Sequence, residues 1–282
     1  MRALLIPALL FAGPALPAQT AVRPYRISPA ASVTQELGIS SVRIDYHRPA
    51  VRGRKIWGGL VPYGAVWRVG ANEATTVAFS DPVRIDGHDL AAGTYAFFAI
   101  PGPDTWTLIF NRTARQWGSF TYQAAQDALR VTAKPRTAPA QEYLAYTIQV
   151  TAPDALRVEL AWDTLAVGFD VALDAPGIYW TYLEKAMAGA GPQEWQPLDT
   201  GVAYCLQSGT HLDRAQEWAD RSISIREGYR NLSLKAQLLR RQGRNGEALE
   251  LLRKAIALAA AGAPANTQEE LKALEADWSR EP

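Results

Sequence analysis

Ser41-Val42-Arg43-Ile44-Asp45-Tyr46-His47 is the stretch that decides the fold class, because its apolar and polar side chains alternate strictly. Successive side chains of a β-strand point to opposite faces of a sheet, so the three apolar residues share one face while Asp45 and His47 lie on the other. The pattern predicts a strand with one face in the core and the other in water or in a functional site.

Similar short runs, rich in Val, Ile, Thr and aromatic residues, extend from Ser32 to Val171 and are separated by Gly, Pro, Asn and Asp. No helical pattern lies between them to connect parallel strands. We therefore predict an antiparallel β-sandwich or a barrel-like fold, not a parallel α/β sheet. Further strands are predicted at Thr75–Phe79, Val83–Ile85, Thr94–Ile100, Thr105–Asn111, Leu129–Ala133, Tyr143–Thr151, Ala155–Trp162 and Leu165–Ala172, with turns at 86–87, 101–104 and 153–154.

The composition changes after Asp174 to Ala, Leu, Glu, Arg and Gln, and the apolar period changes from two residues to about 3.6. This change predicts a β-rich domain over residues 22–173 and a helical domain over residues 174–282. Within the second, aligning Ala215 with Ala248 superposes similar residues at a spacing of 33, which predicts tetratricopeptide-like helical hairpins. Such a short array is expected to lean on the β domain or another subunit, and to offer a concave face to a protein partner.

The first residues are typical of a secretory signal peptide. Arg2 precedes an apolar run that ends near Ala18, where small residues favour cleavage. A membrane anchor is the alternative, but the run is interrupted by Pro7 and Pro14 and is shorter than the roughly 20 residues of a spanning helix. We predict a signal peptide over residues 1–18 and a periplasmic or secreted bacterial protein with no transmembrane segment after cleavage.

Composition excludes several classes of partner. A formal net charge of +1 gives no reason to expect nucleic acid. Cys205 is the single cysteine, so no internal disulfide can form and the core must stabilise the fold. His47, His88 and His211 are the three histidines and show no metal-ligand spacing, so we expect no metal and no cofactor.

Residues 46–75 form the most unusual region, a loop in which basic and aromatic residues alternate with glycines. Guanidinium groups suit carboxylate or phosphate, so the loop is a candidate site for an anionic or sugar-like ligand. The alternative is structural, with arginines and tryptophans holding the loop against the core. The basic residues are Arg48, Arg52, Arg54, Lys55 and Arg68, and the candidate ligand-binding residues are Arg48, Arg54, Trp57, Tyr63, Trp67, Arg68, Asn72 and Glu73.

Four motifs in this loop carry a family resemblance: His47-Arg48-Pro49, Gly53-Arg54-Lys55-Ile56-Trp57-Gly58, Leu60-Val61-Pro62-Tyr63-Gly64 and Trp67-Arg68-Val69-Gly70-Ala71-Asn72-Glu73-Ala74-Thr75. Together with later blocks at 93–95, 100–102 and 111–118, they resemble the bacterial domain-of-unknown-function family 2911 (DUF2911) over roughly residues 27–150. The resemblance implies an exported β-rich domain and no activity that can be assigned to single residues. The family pattern has Ser where this chain has His47, which argues against His47 as a family-wide catalyst.

The sequence contains no recognised motif of nucleophilic catalysis. Our first hypothesis is therefore a non-catalytic envelope protein that binds its ligand through residues 48–73. The second is a periplasmic hydrolase of glycan or ester substrates that uses Asp45, His47 and Glu73 as acid–base groups. Convergence of these three side chains in one concavity would favour the second hypothesis.

Overall fold

The computed structural model describes residues 25–280, so the predicted signal peptide over residues 1–18 lies outside the described residues. Within them, ten strands precede six helices. The strands are β1 (Ala30–Leu37), β2 (Ser40–His47), β3 (Thr75–Phe79), β4 (Val83–Ile85), β5 (His88–Leu90), β6 (Gly93–Ile100), β7 (Trp106–Asn111), β8 (Asp127–Ala133), β9 (Arg136–Ala152) and β10 (Ala155–Ala172). The helices are α1 (Ala175–Gly189), α2 (Gln196–Ser208), α3 (Leu212–Ile225), α4 (Tyr229–Arg241), α5 (Asn245–Ala260) and α6 (Ala265–Trp278).

The strands form two antiparallel sheets that enclose one apolar core. One sheet has the order β1-β2-β3-β6-β7-β8, and the other has the order β5-β4-β10-β9. Trp106 and Phe110 from the first sheet, and Trp162 and Phe169 from the second, are among the largest fully buried side chains. The predicted antiparallel sandwich is confirmed. The barrel-like alternative is not, because both sheets of the described chain are open.

β2 has the alternation that its sequence predicts. Val42, Ile44 and Tyr46 are buried in the core, whereas Arg43 is exposed on the outer face of the six-stranded sheet. The sequence patterns did not predict β1 and β5, and the reason is physical. β1 is an edge strand that buries little large apolar surface, and β5 has only three residues.

β10 is one strand, although its sequence predicts two. Asp163 has a φ of 53°, and the pairing register with β9 is irregular on both sides of it. The buried side chains are even-numbered from Leu156 to Trp162 and odd-numbered from Val167 to Val171. A β-bulge explains this change, because one extra residue moves every later side chain to the opposite face.

A smaller apolar cluster lies on the outer face of the six-stranded sheet. Its buried members include Phe98 of β6 and Ile109 of β7. Tyr122, from the connection between β7 and β8, packs on it with its ring 5.2 Å from that of Phe98. This connection therefore covers part of the outer face and forms a wall beside the neighbouring strands.

The helices repeat with the predicted spacing. Both α2 and α4, and α3 and α5, begin 33 residues apart. α2 packs on α3 and α4 packs on α5, and small residues such as Ala215 and Ala248 are fully buried where these helices approach. The predicted helical hairpins are confirmed.

The change from strand to helix falls at Asp174, between the end of β10 and the beginning of α1. Asp174 accepts a hydrogen bond from the backbone N–H of Gly177 and so caps α1. Ile178 of α1 packs against the sandwich core, while the other helices build separate apolar clusters. No helix within residues 25–280 is long and apolar enough to cross a membrane.

Candidate functional site

The loop between β2 and β3 packs its tryptophans into the core. Trp57 and Trp67 are each 8% exposed and contact Trp106 and Trp162. The ring centroids of Trp57 and Trp106 are 5.0 Å apart, and those of Trp67 and Trp162 are 6.0 Å apart in a stacked arrangement. Burial of four indoles holds the loop against both sheets.

Backbone hydrogen bonds fix the loop at both ends. Val51 donates to the carbonyl of Glu142, and Leu144 donates to that of Pro49, which ties the start of the loop to β9. Further along, Trp67 exchanges two backbone hydrogen bonds with Ala99 of β6. The backbone of this loop is therefore anchored to β9 and β6.

Two of the predicted arginines have structural partners. The Nε of Arg48 donates to the carbonyl of Leu144 at 2.9 Å, and its guanidinium lies 5.9 Å from the ring centre of Tyr143. Arg54 donates to the carbonyls of Val51 and Ala50, at 3.0 and 2.5 Å. These bonds tie both side chains to backbone carbonyls, although Arg54 also lines the cavity described next.

Arg52, Arg54 and Arg68 line a cavity of about 360 Å³, together with Asn72 and Trp67. No Asp or Glu lines it among the described residues. We call this cavity the arginine pocket. Trp57 and Tyr63 do not line it, so it brings together only part of the predicted set.

Arg68 differs from Arg48 and Arg54 because its Nε is buried without a hydrogen-bond partner among the described residues. Burial lowers the pKa of Arg68 from its ordinary value, since the charged form loses hydration. The indole N–H groups of Trp57 and Trp106 are likewise buried without a partner in the described chain. Three buried donors of this region, in Arg68, Trp57 and Trp106, therefore lack an acceptor among the described residues.

A second concavity, of about 760 Å³, lies on the outer face of β1, β2 and β3. Pairing between strands places Ser32 opposite Asp45 and Asp45 opposite Thr76, so these three side chains line one row across the sheet. His47 and residues 114–117 complete its walls. We call this concavity the outer groove.

Asp45, His47 and Glu73 all line the outer groove, so the three residues of the hydrolase hypothesis do converge. The Nδ1 of His47 lies 3.6 Å from Oε2 of Glu73, and the same oxygen accepts a short hydrogen bond from Arg26. Asp45 is engaged by Arg43, with a nitrogen–oxygen distance of 2.6 Å.

The protonation states follow from these contacts. Burial lowers the pKa of His47, Glu73 opposes this shift, and Arg26 and Arg68 add to it. The hydrogen bond from Arg26 lowers the pKa of Glu73. At neutral pH the groove therefore holds a neutral imidazole beside an ionised carboxylate. No hydrogen bond joins His47 to Ser32 or Thr76 in the part of the chain that the structure describes.

The remaining reactive residues lie elsewhere. Cys205 is buried between helices, where burial raises the pKa of its thiol to about 11. His88 is exposed on β5, and His211 stacks on Trp180 with ring centres 3.6 Å apart. Across residues 25–280, no three His, Cys, Asp or Glu side chains are grouped as metal ligands.

Sequence reasoning missed Arg26 and Trp117, which both border the outer groove region. Trp117 lines the groove, and Arg26 lies over its ring at 5.1 Å from the centre. Local patterns could not have identified either residue, because strand order and the long connection after β7 bring them to His47. Trp117 does fall within the block 111–118 that carries the family resemblance.

Comparisons with known proteins relate the chain to a family. No curated protein and no solved structure matches it. The family described as "Protein of unknown function (DUF2911)" matches residues 28–171. The match covers slightly more than half of the chain and spans nearly the whole sandwich. With its loop motifs, its two sheets and this match, the chain belongs to the DUF2911 family.

Proposed function

We propose that this protein is a non-catalytic binding module whose β portion holds the carboxylate or phosphate group of a small ligand in the arginine pocket. One observation carries the proposal: the buried Nε of Arg68 has no partner within the described residues and faces no lining carboxylate. A buried N–H donor without a partner is costly, and an anion with several acceptor oxygens would remove that cost.

The surroundings of Arg68 support an anion over a neutral ligand. Arg52 and Arg54 add two positive charges to the same wall, and Asn72 lies beside them. Asn72 is itself held by a hydrogen bond from its side-chain nitrogen to the carbonyl of Ser28 at 3.3 Å. Planar guanidinium groups around a small cavity match the geometry of carboxylate and phosphate.

Titration of the full chain with inorganic phosphate and with citrate tests this proposal. We expect calorimetric binding and a rise in unfolding temperature that grows with ligand concentration. Arg68→Ala should weaken binding at least about tenfold, because a charge-assisted hydrogen bond is lost. Arg84→Ala is the matched control, since Arg84 is exposed on β4 and outside the pocket. Equal binding by wild type and the folded Arg68→Ala variant would overturn the proposal.

The outer groove supports a second candidate function, acid–base hydrolysis of a glycan or ester. The supporting observation is that the Nδ1 of His47 lies 3.6 Å from the carboxylate of Glu73, which places a candidate base beside a carboxylate. A screen with chromogenic esters and glycosides tests it. His47→Ala should abolish any turnover that the wild type shows. Full turnover by the folded variant would exclude His47 as the base.

We also propose that the helices bind a protein partner. A groove of about 610 Å³ between α3, α4 and α5 carries both charge signs, including Asp220, Lys235 and Glu247. A photo-crosslinking residue in place of Leu251, inside this groove, should capture one envelope protein, whereas the same residue at exposed Leu258 should not. Equal labelling at both positions would contradict the proposed surface.

We propose separately that the protein is exported, because its first residues are typical of a signal peptide. The mass of the chain recovered from the periplasm of a bacterial host should correspond to loss of residues near 1–18. Recovery of the uncleaved chain from the cytoplasm alone would contradict export.

A further inference from the structure

Trp117 is an aromatic side chain presented to the outer groove by a fixed backbone. Its side chain is 53% exposed, which is unusual among the tryptophans of the sandwich. Ala74 donates to the carbonyl of Gln116 at 3.0 Å, and Gly118 donates to that of Asn72 at 3.1 Å. The ring is therefore held at the rim without being buried, which is the arrangement of a contact surface and not of a core residue.

Uncommitted hydrogen-bonding groups face the same groove. The hydroxyls of Ser32 and Thr76 and the Nε2 of His47 make no hydrogen bond to any residue in the range 25–280. These groups donate and accept without carrying charge at neutral pH.

The carboxylates of the groove are paired with arginines. Asp45 is paired with Arg43, and Glu73 is paired with Arg26, while exposed Arg115 adds one positive charge to the lining. Both carboxylates keep oxygen lone pairs that can accept further hydrogen bonds, because one guanidinium does not occupy all of them. The outer groove thus combines an exposed aromatic ring, small alanine surfaces and polar groups that can donate and accept hydrogen bonds.

We propose that the outer groove is a binding site for a neutral sugar, with one pyranose ring lying against Trp117 and its hydroxyls bonded to the row of polar side chains on β1, β2 and β3. A pyranose has an apolar face of C–H groups and a rim of hydroxyls, so it matches both kinds of surface at once. An anion would meet two carboxylates, and a purely apolar ligand would leave Ser32 and Thr76 without partners. The volume of about 760 Å³ is within the range of ligand sites and accommodates a short oligosaccharide.

The test uses the full chain and four neutral probes, cellotetraose, maltotetraose, xylotetraose and chitotetraose, with trigalacturonate as the anionic probe. We expect saturation-transfer NMR and calorimetry to detect at least one neutral probe and not trigalacturonate. Trp117→Ala should weaken that binding about tenfold or more, and Trp117→Phe should retain most of it. Thermal unfolding of both variants should match the wild type, because the ring is exposed.

Two control variants show whether sugar binding depends on the outer groove itself. Phe120 belongs to the same connection and is 84% exposed but does not line the groove, so Phe120→Ala should bind like wild type. Arg84→Ala, a change at an exposed residue of β4 outside the groove, should also leave sugar binding unchanged. Absence of binding by all four neutral probes would overturn the proposal. Binding of trigalacturonate alone, or sugar binding that survives Trp117→Ala, would overturn it as well.

Discussion

Asp199 is a carboxyl group enclosed by helices, with only 1% of its surface exposed. One oxygen accepts a hydrogen bond from Ser222 at 2.6 Å, and Ser222 in turn accepts one from Asn231. The other oxygen is buried with no hydrogen-bond partner in the described chain, and the Nε of Arg230 lies 4.0 Å away. Burial raises the pKa of Asp199, while Ser222 and Arg230 oppose the shift.

The sign of this shift predicts how stability depends on pH. The folded state holds the Asp199 proton more tightly than the unfolded state does. The stabilising contribution of Asp199 is therefore complete below its ordinary pKa of about 3.8. This contribution is lost as the pH rises through the raised pKa of the folded state. We expect Asp199→Asn to raise the free energy of unfolding by about 1 kcal/mol at pH 7, with a smaller gain near pH 4.

Urea unfolding at both pH values measures this difference. Asp89→Asn is the control, because Asp89 is exposed on β5 and its substitution should change little. A loss of stability in Asp199→Asn at pH 7 would mean that the ionised carboxylate stabilises the helices.

At the scale of elements, α2 and α3 approach closely because α2 carries a glycine at the contact. A Cβ at Gly201 would lie 2.8 Å from ring atoms of Trp218 and 3.3 Å from Met187. Trp218 is buried, so its ring has little room to move. The close packing of α2 on α3 therefore requires glycine at position 201, because a side-chain methyl group would clash with Trp218.

We expect Gly201→Ala to lower the free energy of unfolding by about 1–3 kcal/mol through overpacking, despite the better helix propensity of alanine. Gly246 of α5 is the matched control, because a Cβ there would meet nothing within 4 Å. Gly246→Ala should be neutral or stabilising by up to about 1 kcal/mol. Urea unfolding of the two variants measures this difference. Equal changes in their free energies of unfolding would show that α2 can move away from Trp218.

At the scale of the whole molecule, the sandwich and the helices keep separate apolar cores. Ile178 is the helical residue that packs against the sandwich cluster among the described residues. We therefore expect two unfolding transitions in calorimetry, since little buried surface couples the two parts.

A matched pair of core substitutions assigns the transitions. Leu156 in the sandwich and Leu252 in α5 are both 0% exposed. Each change to Ala should cost about 2–5 kcal/mol and lower the temperature of one transition only. A single transition that both variants lower equally would show that the two parts unfold as one unit.

The sequence alone determined the elements whose side-chain period is regular. The alternation in β2 and the 33-residue repeat of the hairpins required only local geometry, because a strand repeats every two residues and a helix about every 3.6. At Asp163 the two-residue period of the apolar side chains breaks. The sequence is compatible there with a bulge inside one strand and with a turn between two strands. Only pairing with β9 distinguishes them.

Tertiary structure alone decided which candidate residues share a site. The loop motifs grouped Arg48, Trp57 and Arg68 by sequence. The fold gave Arg48 a backbone partner, placed Trp57 in the core and left the Nε of Arg68 without a partner among the described residues. It also brought Trp117 to the groove beside His47, across a sequence separation that no local pattern spans. The physical reason is that a strand's own sequence sets its faces, whereas strand order and loop packing set which faces meet.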